Sequence, residues 1–190
     1  GAPVDYVSVS FYMGSACDGE YITSVQTDVN GDYCLTVPKD SETFYVGAST
    51  LHFMPEVDLA SEWYTPAGGT FYCQMAQGVG SVTDQDIDFQ LEDGSQIIGT
   101  VTDSNGTPIA GLMVQAENDA LELGWPHAWT DADGKFTIGN LTPGPWLVMV
   151  QPDPVATNYV QVNHDYWLNS SENRDIGTIA LQPGALISGA

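Results

Sequence analysis

Residues 130–150 read TDADGKFTIGNLTPGPWLVMV, and residues 27–37 give a shorter echo, TDVNGDYCLTV. In both, a Thr-Asp pair leads through Asp133-Gly134 or Asn30-Gly31 into an aromatic residue. Alternating apolar positions follow, Phe136 and Ile138 in one copy, Tyr33, Leu35 and Val37 in the other. Asx-Gly flanked by such alternation is a strong hairpin signal, because Gly and Asn tolerate the positive φ of a tight turn. Each stretch predicts the centre of a β-module, and two copies in the chain predict two modules of about 90–100 residues.

Around the longer copy, IIGTVTDSNGTPIAGLMVQAE precedes the hairpin and DIGTIALQPG follows it. This order of strand, Asn-Gly-x-Pro turn, strand, TDxxGxF hairpin, NLxPG turn and strand resembles the carboxypeptidase regulatory-like domain, a transthyretin-like (Ig-like) β-sandwich. The resemblance covers 94–184 well and 1–93 more loosely. It implies an all-β chain of two tandem sandwiches, and a non-catalytic accessory or surface module in place of an enzyme. The joint is expected near Glu92-Asp93-Gly94, giving modules at 1–93 and 94–184.

Strands are expected in the first module at 4–12, 21–27, 32–37, 44–49, 70–75 and 86–91, with one helical turn at 56–63. In the second they are expected at 96–102, 110–117, 128–131, 135–139, 145–151, 158–162 and 175–181.

Three basic residues (Lys39, Lys135 and Arg174) stand against 25 acidic ones, a formal net charge of −22. Such a chain repels phosphate backbones and anionic lipid, which argues against a nucleic-acid partner. With so few cations, stability must come from burial and sheet hydrogen bonds, not from surface ion pairs. No run of about 18 apolar residues occurs, so no membrane-inserted helix is expected. The start Gly1-Ala2-Pro3 fits a mature form after cleavage or a cloning scar, and an extracellular or cell-surface location is expected. Cys17, Cys34 and Cys73 allow one disulfide with three pairings. Cys34 alternates with Tyr33 and Leu35 and should point away from the core.

Gly1-Ala2-Pro3-Val4 aligns with Gly106-Thr107-Pro108-Ile109, and Val7-Ser8-Val9 with Leu112-Met113-Val114, so the first module has no counterpart of IIGTVTDSN. Conversely, LQPGALISG at 181–189 matches LEDGSQIIG at 91–99 at a constant offset. The segment 185–190 therefore reads as a spare opening strand. Strand addition between copies is head-to-tail and does not close on itself, so it propagates into a fibre. Ala185, Leu186, Ile187 and Ser188 are the expected donors, with the strand around 4–12 one candidate edge to receive them. The competing reading is a piece of a longer tandem array, a stalk segment of a surface protein.

Asp28, Asn30 and Asp32, and likewise Asp131 and Asp133, place oxygen ligands at alternate positions around a Gly. Calcium is the cation such donors suit, but the later bidentate Glu of a full calcium loop is missing, and plain hairpin chemistry accounts for both turns. Asp84, Asp86 and Asp88 form a second carboxylate cluster on one strand face. Trp125 and Trp129, in GWPHAW, are candidates to stack on sugar rings, the basis of an alternative reading as a polysaccharide-binding module, although aromatics more often fill cores or joints. His52, His127 and His164 stand far apart and no nucleophile or metal motif occurs, so no catalytic residue is expected. The opening strand at 96–102 has no Lys, which departs from the internal Lys–Asn isopeptide pattern of related surface modules. Asn105, Asn140 and Asn169 begin glycosylation sequons.

Overall fold

The computed structural model describes residues 2–37, 43–50, 58–80, 86–118, 123–152 and 158–185. These residues form strands and turns, with a single 3-10 turn at Cys73–Met75 and no α-helix among them. The chain divides into two compact units: residues 1–94 with 118–124 and 140–142, and residues 95–117 with 125–139 and 143–190.

In the first unit β1 (Ser8–Met13) pairs antiparallel with both β2 (Glu20–Gln26) and β3 (Thr43–Ser49). Two short strands, β4 (Glu62–Trp63) and β5 (Val79–Gly80), pair with β3. The register sets Val9 opposite Ala48, Phe11 opposite Val46 and Met13 opposite Phe44. Directly opposed residues share a sheet face, so Val9, Phe11, Phe44 and Val46 make one buried cluster. Each contributes roughly 1.5–3 kcal/mol of burial. Cys17 and Cys73, with Cα atoms 5.1 Å apart, form a disulfide in this unit, and Cys34 is a free, exposed thiol.

The expected helical turn at 56–63 is not formed over its described part. Leu59 is bridged to Asp93, and Glu62–Trp63 is β4 with Trp63 fully buried. Glu62 is buried too, and its Oε1 accepts the backbone N–H of Glu92. Burial pushes its carboxyl up to about 7, with the Glu92 amide pulling the other way and the Glu92 charge adding to the rise. The strand expected at 70–75 is replaced by the 3-10 turn that carries Cys73.

The second unit has two layers. One is a four-stranded antiparallel sheet in the order β11-β10-β7-β8, from β7 (Met113–Glu117), β8 (His127–Trp129), β10 (Gly144–Gln151) and β11 (Val162–Leu168). The other is the three-stranded sheet β12-β6-β9, from β6 (Ser95–Asp103), β9 (Lys135–Leu141) and β12 (Asn173–Leu181). The sixth strand of this module was expected at 158–162. There only Tyr159 is bridged, to Pro183, and the ladder begins at Val162. In the sequence alignment β1 answers to β7, and the order β2-β1-β3-β4 then repeats β8-β7-β10-β11.

Candidate assembly site

The second layer distinguishes the units. In the second unit β6 lies in the middle, parallel to β12 in the register Gln96–Asn173 through Asp103–Leu181, with β9 on its other side. Ile97 and Val101 of β6, Phe136 and Ile138 of β9, and Ile179 and Leu181 of β12 are all buried. The repeat offsets carry β9 onto 32–37 and β12 onto residues ending at Leu91. Both described stretches, 32–37 and 86–91, alternate as the sequence predicts: Tyr33, Leu35, Val37, Ile87, Phe89 and Leu91 face inward, while Cys34, Asp86 and Asp88 are exposed. Five of the six inward residues pack against the Val9 and Phe44 cluster. Yet neither stretch is laddered to a neighbour, and all six inward residues stay half-buried.

A strand lying between two others satisfies the lateral N–H and C=O groups of both and covers the seam between their side chains. Among the described residues of the first unit no strand stands between 32–37 and 86–91 as β6 does between β9 and β12. A side chain makes the link instead: the Tyr33 hydroxyl donates to the Ile87 carbonyl, and burial pushes that phenol up to about 12, so it stays a donor. The sequence also named 4–12 as a receiving edge. The structure overturns that expectation, since β1 is hydrogen-bonded on both sides and has no free edge.

The equivalence of the two module ends has structural support. Ala60 N–H donates to Glu92 O and Gly94 N–H to Asp58 O. Val160 N–H donates to Gln182 O and Gly184 N–H to Asn158 O in the same manner. Gly184 thus stands where Gly94 stands, immediately before β6. Of the expected donor residues Ala185 is exposed, and Leu186, Ile187 and Ser188 lie outside the described residues.

The Asx-Gly turns are one loop used three times. Asp28 Oδ1 accepts the backbone N–H of Asn30 (2.8 Å) and Asp32 (3.1 Å). Asp103 Oδ1 accepts those of Asn105 and Thr107, both at 2.8 Å. Asp131 Oδ1 accepts those of Asp133 (2.9 Å) and Lys135 (2.8 Å). Each loop has its Gly at positive φ: Gly31, Gly106 and Gly134 at 77°, 85° and 73°. Donation from Asn30 and Asp32 holds the Asp28 carboxyl below the usual carboxylate range, and donation from Thr107 and Asn105 does the same for Asp103. These oxygens are occupied by turn hydrogen bonds. Among the described residues no three His, Cys, Asp or Glu side chains converge to hold a metal ion. Asp84 lies outside the described residues.

Trp125 and Trp129 are 68% and 62% exposed, and His127 and His164 are exposed on strands. His52 lies outside the described residues. Asn105 and Asn169 are exposed, but Asn140 is buried with Nδ2 donating to Thr50 O, which removes it from the glycosylation candidates in the folded chain. No helix among the described residues is long and apolar enough to cross a membrane.

The seven strands of the second unit, with the Asp103 and Asp131 loops among them, fall within one stretch of sequence. Residues 96–182 match the carboxypeptidase regulatory-like domain. The matched stretch runs from the second residue of β6 to one residue past the end of β12. No curated protein matches the sequence. Among solved structures, the chain is similar to the shaft pilin SpaA of Lactobacillus rhamnosus GG, at 12% identity over 98% of this chain and 91% of that one, with a TM-score of 0.40. It is similar to GBS52, the minor pilin of Streptococcus agalactiae, at 12% identity over 100% and 88%, with a TM-score of 0.38. It is also similar to the 5-hydroxyisourate hydrolase of Klebsiella pneumoniae, at 19% identity over 48% and 92%, with a TM-score of 0.37.

Proposed function

We propose that this chain is a non-catalytic extracellular structural protein, a filament subunit that assembles head-to-tail by β-strand complementation. The observation that carries the reading is the unladdered, half-buried pair 32–37 and 86–91 in the first unit. The strand offered to it is 185–190 of a second copy, running parallel to 86–91 as β6 runs parallel to β12. The offset that equates Gly184 with Gly94 puts Ile187 at the position of Ile97, which is fully buried, and Ser188 at that of Ile98, which is exposed. Ile187 is then the inward anchor and Ser188 faces out. A disulfide supports an oxidising, extracellular setting.

The test compares Ile187→Asp with Ser188→Asp by electron microscopy and light scattering. The register predicts that Ile187→Asp abolishes long particles and Ser188→Asp preserves them. Equal behaviour of the two variants would contradict it.

A further inference from the structure

Trp125, His127 and Trp129 project from one face of the last strand in the sheet β11-β10-β7-β8, while Pro126 and Thr130 are buried and Ala128 is half-buried behind them. Ala116 N–H donates to Pro126 O, which carries the β7–β8 ladder past β8 toward Trp125. The register continues this face across the sheet: His127 is opposite Gln115, and the next strand brings Gln151 opposite Met113. Here the side chains are linked in series. Gln151 Nε2 donates to Gln115 Oε1 (3.3 Å), and Gln115 Nε2 donates to Glu117 Oε1 (2.8 Å).

We infer that this face binds a neutral polysaccharide. An aromatic ring presents an apolar π-face, and the C–H face of a pyranose covers it well. The hydroxyl rim of the sugar needs paired donors and acceptors beside the rings. Each primary amide has two donors and two lone pairs, so the Gln151–Gln115–Glu117 series fixes side-chain orientation and still leaves one N–H on each amide for a ligand. Four residues along a strand separate Trp125 from Trp129 by roughly 13 Å. The two rings therefore meet different residues of one chain, and a monosaccharide cannot span them.

Charge selects the class. None of these side chains is Lys or Arg, Glu117 is acidic, and the whole chain carries −22, so polyanionic glycans are repelled. A second protein surface is a poor occupant, because covering Glu117 without a cation buries an uncompensated charge.

The experiment measures retention of the full chain on cellulose, chitin, mixed-linkage β-glucan and starch, with heparin as polyanion control. The expected result is binding to at least one neutral polymer, competed by its oligosaccharides far better than by its monosaccharide. The double variant Trp125→Ala/Trp129→Ala should lower affinity at least about tenfold, with its circular dichroism unchanged. Gln115→Ala, which removes the central amide but no ring, should weaken binding several-fold. Failure to bind any of the four polymers, binding to heparin alone, or unchanged affinity in the double variant would overturn the inference. So would loss of self-association in that variant with no glycan bound, which would make the face an interface between copies.

Discussion

Breaking the Cys17–Cys73 bridge should cost the first unit a large part of its stability and leave the second unit untouched. The bridge joins residues 56 apart in sequence. Loop-closure entropy for that length is about −14 cal/mol/K, equivalent to about 4 kcal/mol at 25 °C. For a unit of this size such a loss lowers the melting midpoint by roughly 15 to 30 °C. All three cysteines lie in residues 1–94, and no crosslink is available to 95–190. Scanning calorimetry with and without reductant, alongside Cys17→Ser/Cys73→Ser, should therefore show one transition moving down and one staying fixed. Cys34→Ser should melt like the parent in non-reducing buffer, because Cys34 is free and exposed. A thiol titration of the native, unreduced chain should give one reactive group. Superimposable melts with and without reductant, or two reactive thiols in the native chain, would refute the reasoning.

Two further perturbations separate the units in other ways. Ile138→Ala removes a fully buried side chain and should cost about 2–5 kcal/mol. Its repeat counterpart Leu35→Ala should cost roughly 1 kcal/mol in the unassembled chain, since a half-buried side chain keeps only part of its transfer energy. Denaturant titration of each variant checks the pair, and equal losses would mean the second layer is as complete in one unit as in the other. Glu62 gives a pH signature. Its folded value of about 7 lies above the ordinary 4.5, so the folded state holds the extra proton and stability falls as pH rises from about 4.5 to about 7. Glu62→Gln keeps an acceptor for the Glu92 amide and should flatten that slope. The lowered carboxyls of Asp28 and Asp103 act oppositely and at lower pH, adding stability above 3.8 that is lost on acidification. An unchanged slope in Glu62→Gln would show that another group sets it.

The alternation of Tyr33, Leu35 and Val37, and of Ile87 and Phe89, was readable because side-chain direction along an extended chain has period two whatever lies beside it. Ladder formation was not readable. It depends on a neighbour, and the same pattern that gives β9 in one unit gives an unladdered segment in the other. The Asp131 and Asp28 turns announced themselves through Asx-Gly, and Asp103 forms the same loop in a stretch that reads equally as an Asn-Gly-x-Pro turn. Burial of Glu62 left no signal in the sequence, since a Glu beside an aromatic in a Pro- and Gly-rich stretch reads as a solvated loop. The free edge assigned to 4–12 failed for a related reason: β1 gains its second neighbour, β3, from residues far along the chain. The exposure of Trp125, His127 and Trp129 is simple alternation along β8 and the residues leading into it, which is hidden in sequence because the inward positions between them are Pro126, buried, and Ala128, half-buried.

The most direct test of the account is particle size and electron microscopy of the intact chain beside the same chain ending at Gly184. The account predicts extended filaments from the first and monomers from the second, with filaments of the intact chain capped when a synthetic peptide of sequence GALISGA is added in excess. Identical monodisperse monomers from both chains, or filaments from the chain ending at Gly184, would contradict strand donation by residues 185–190.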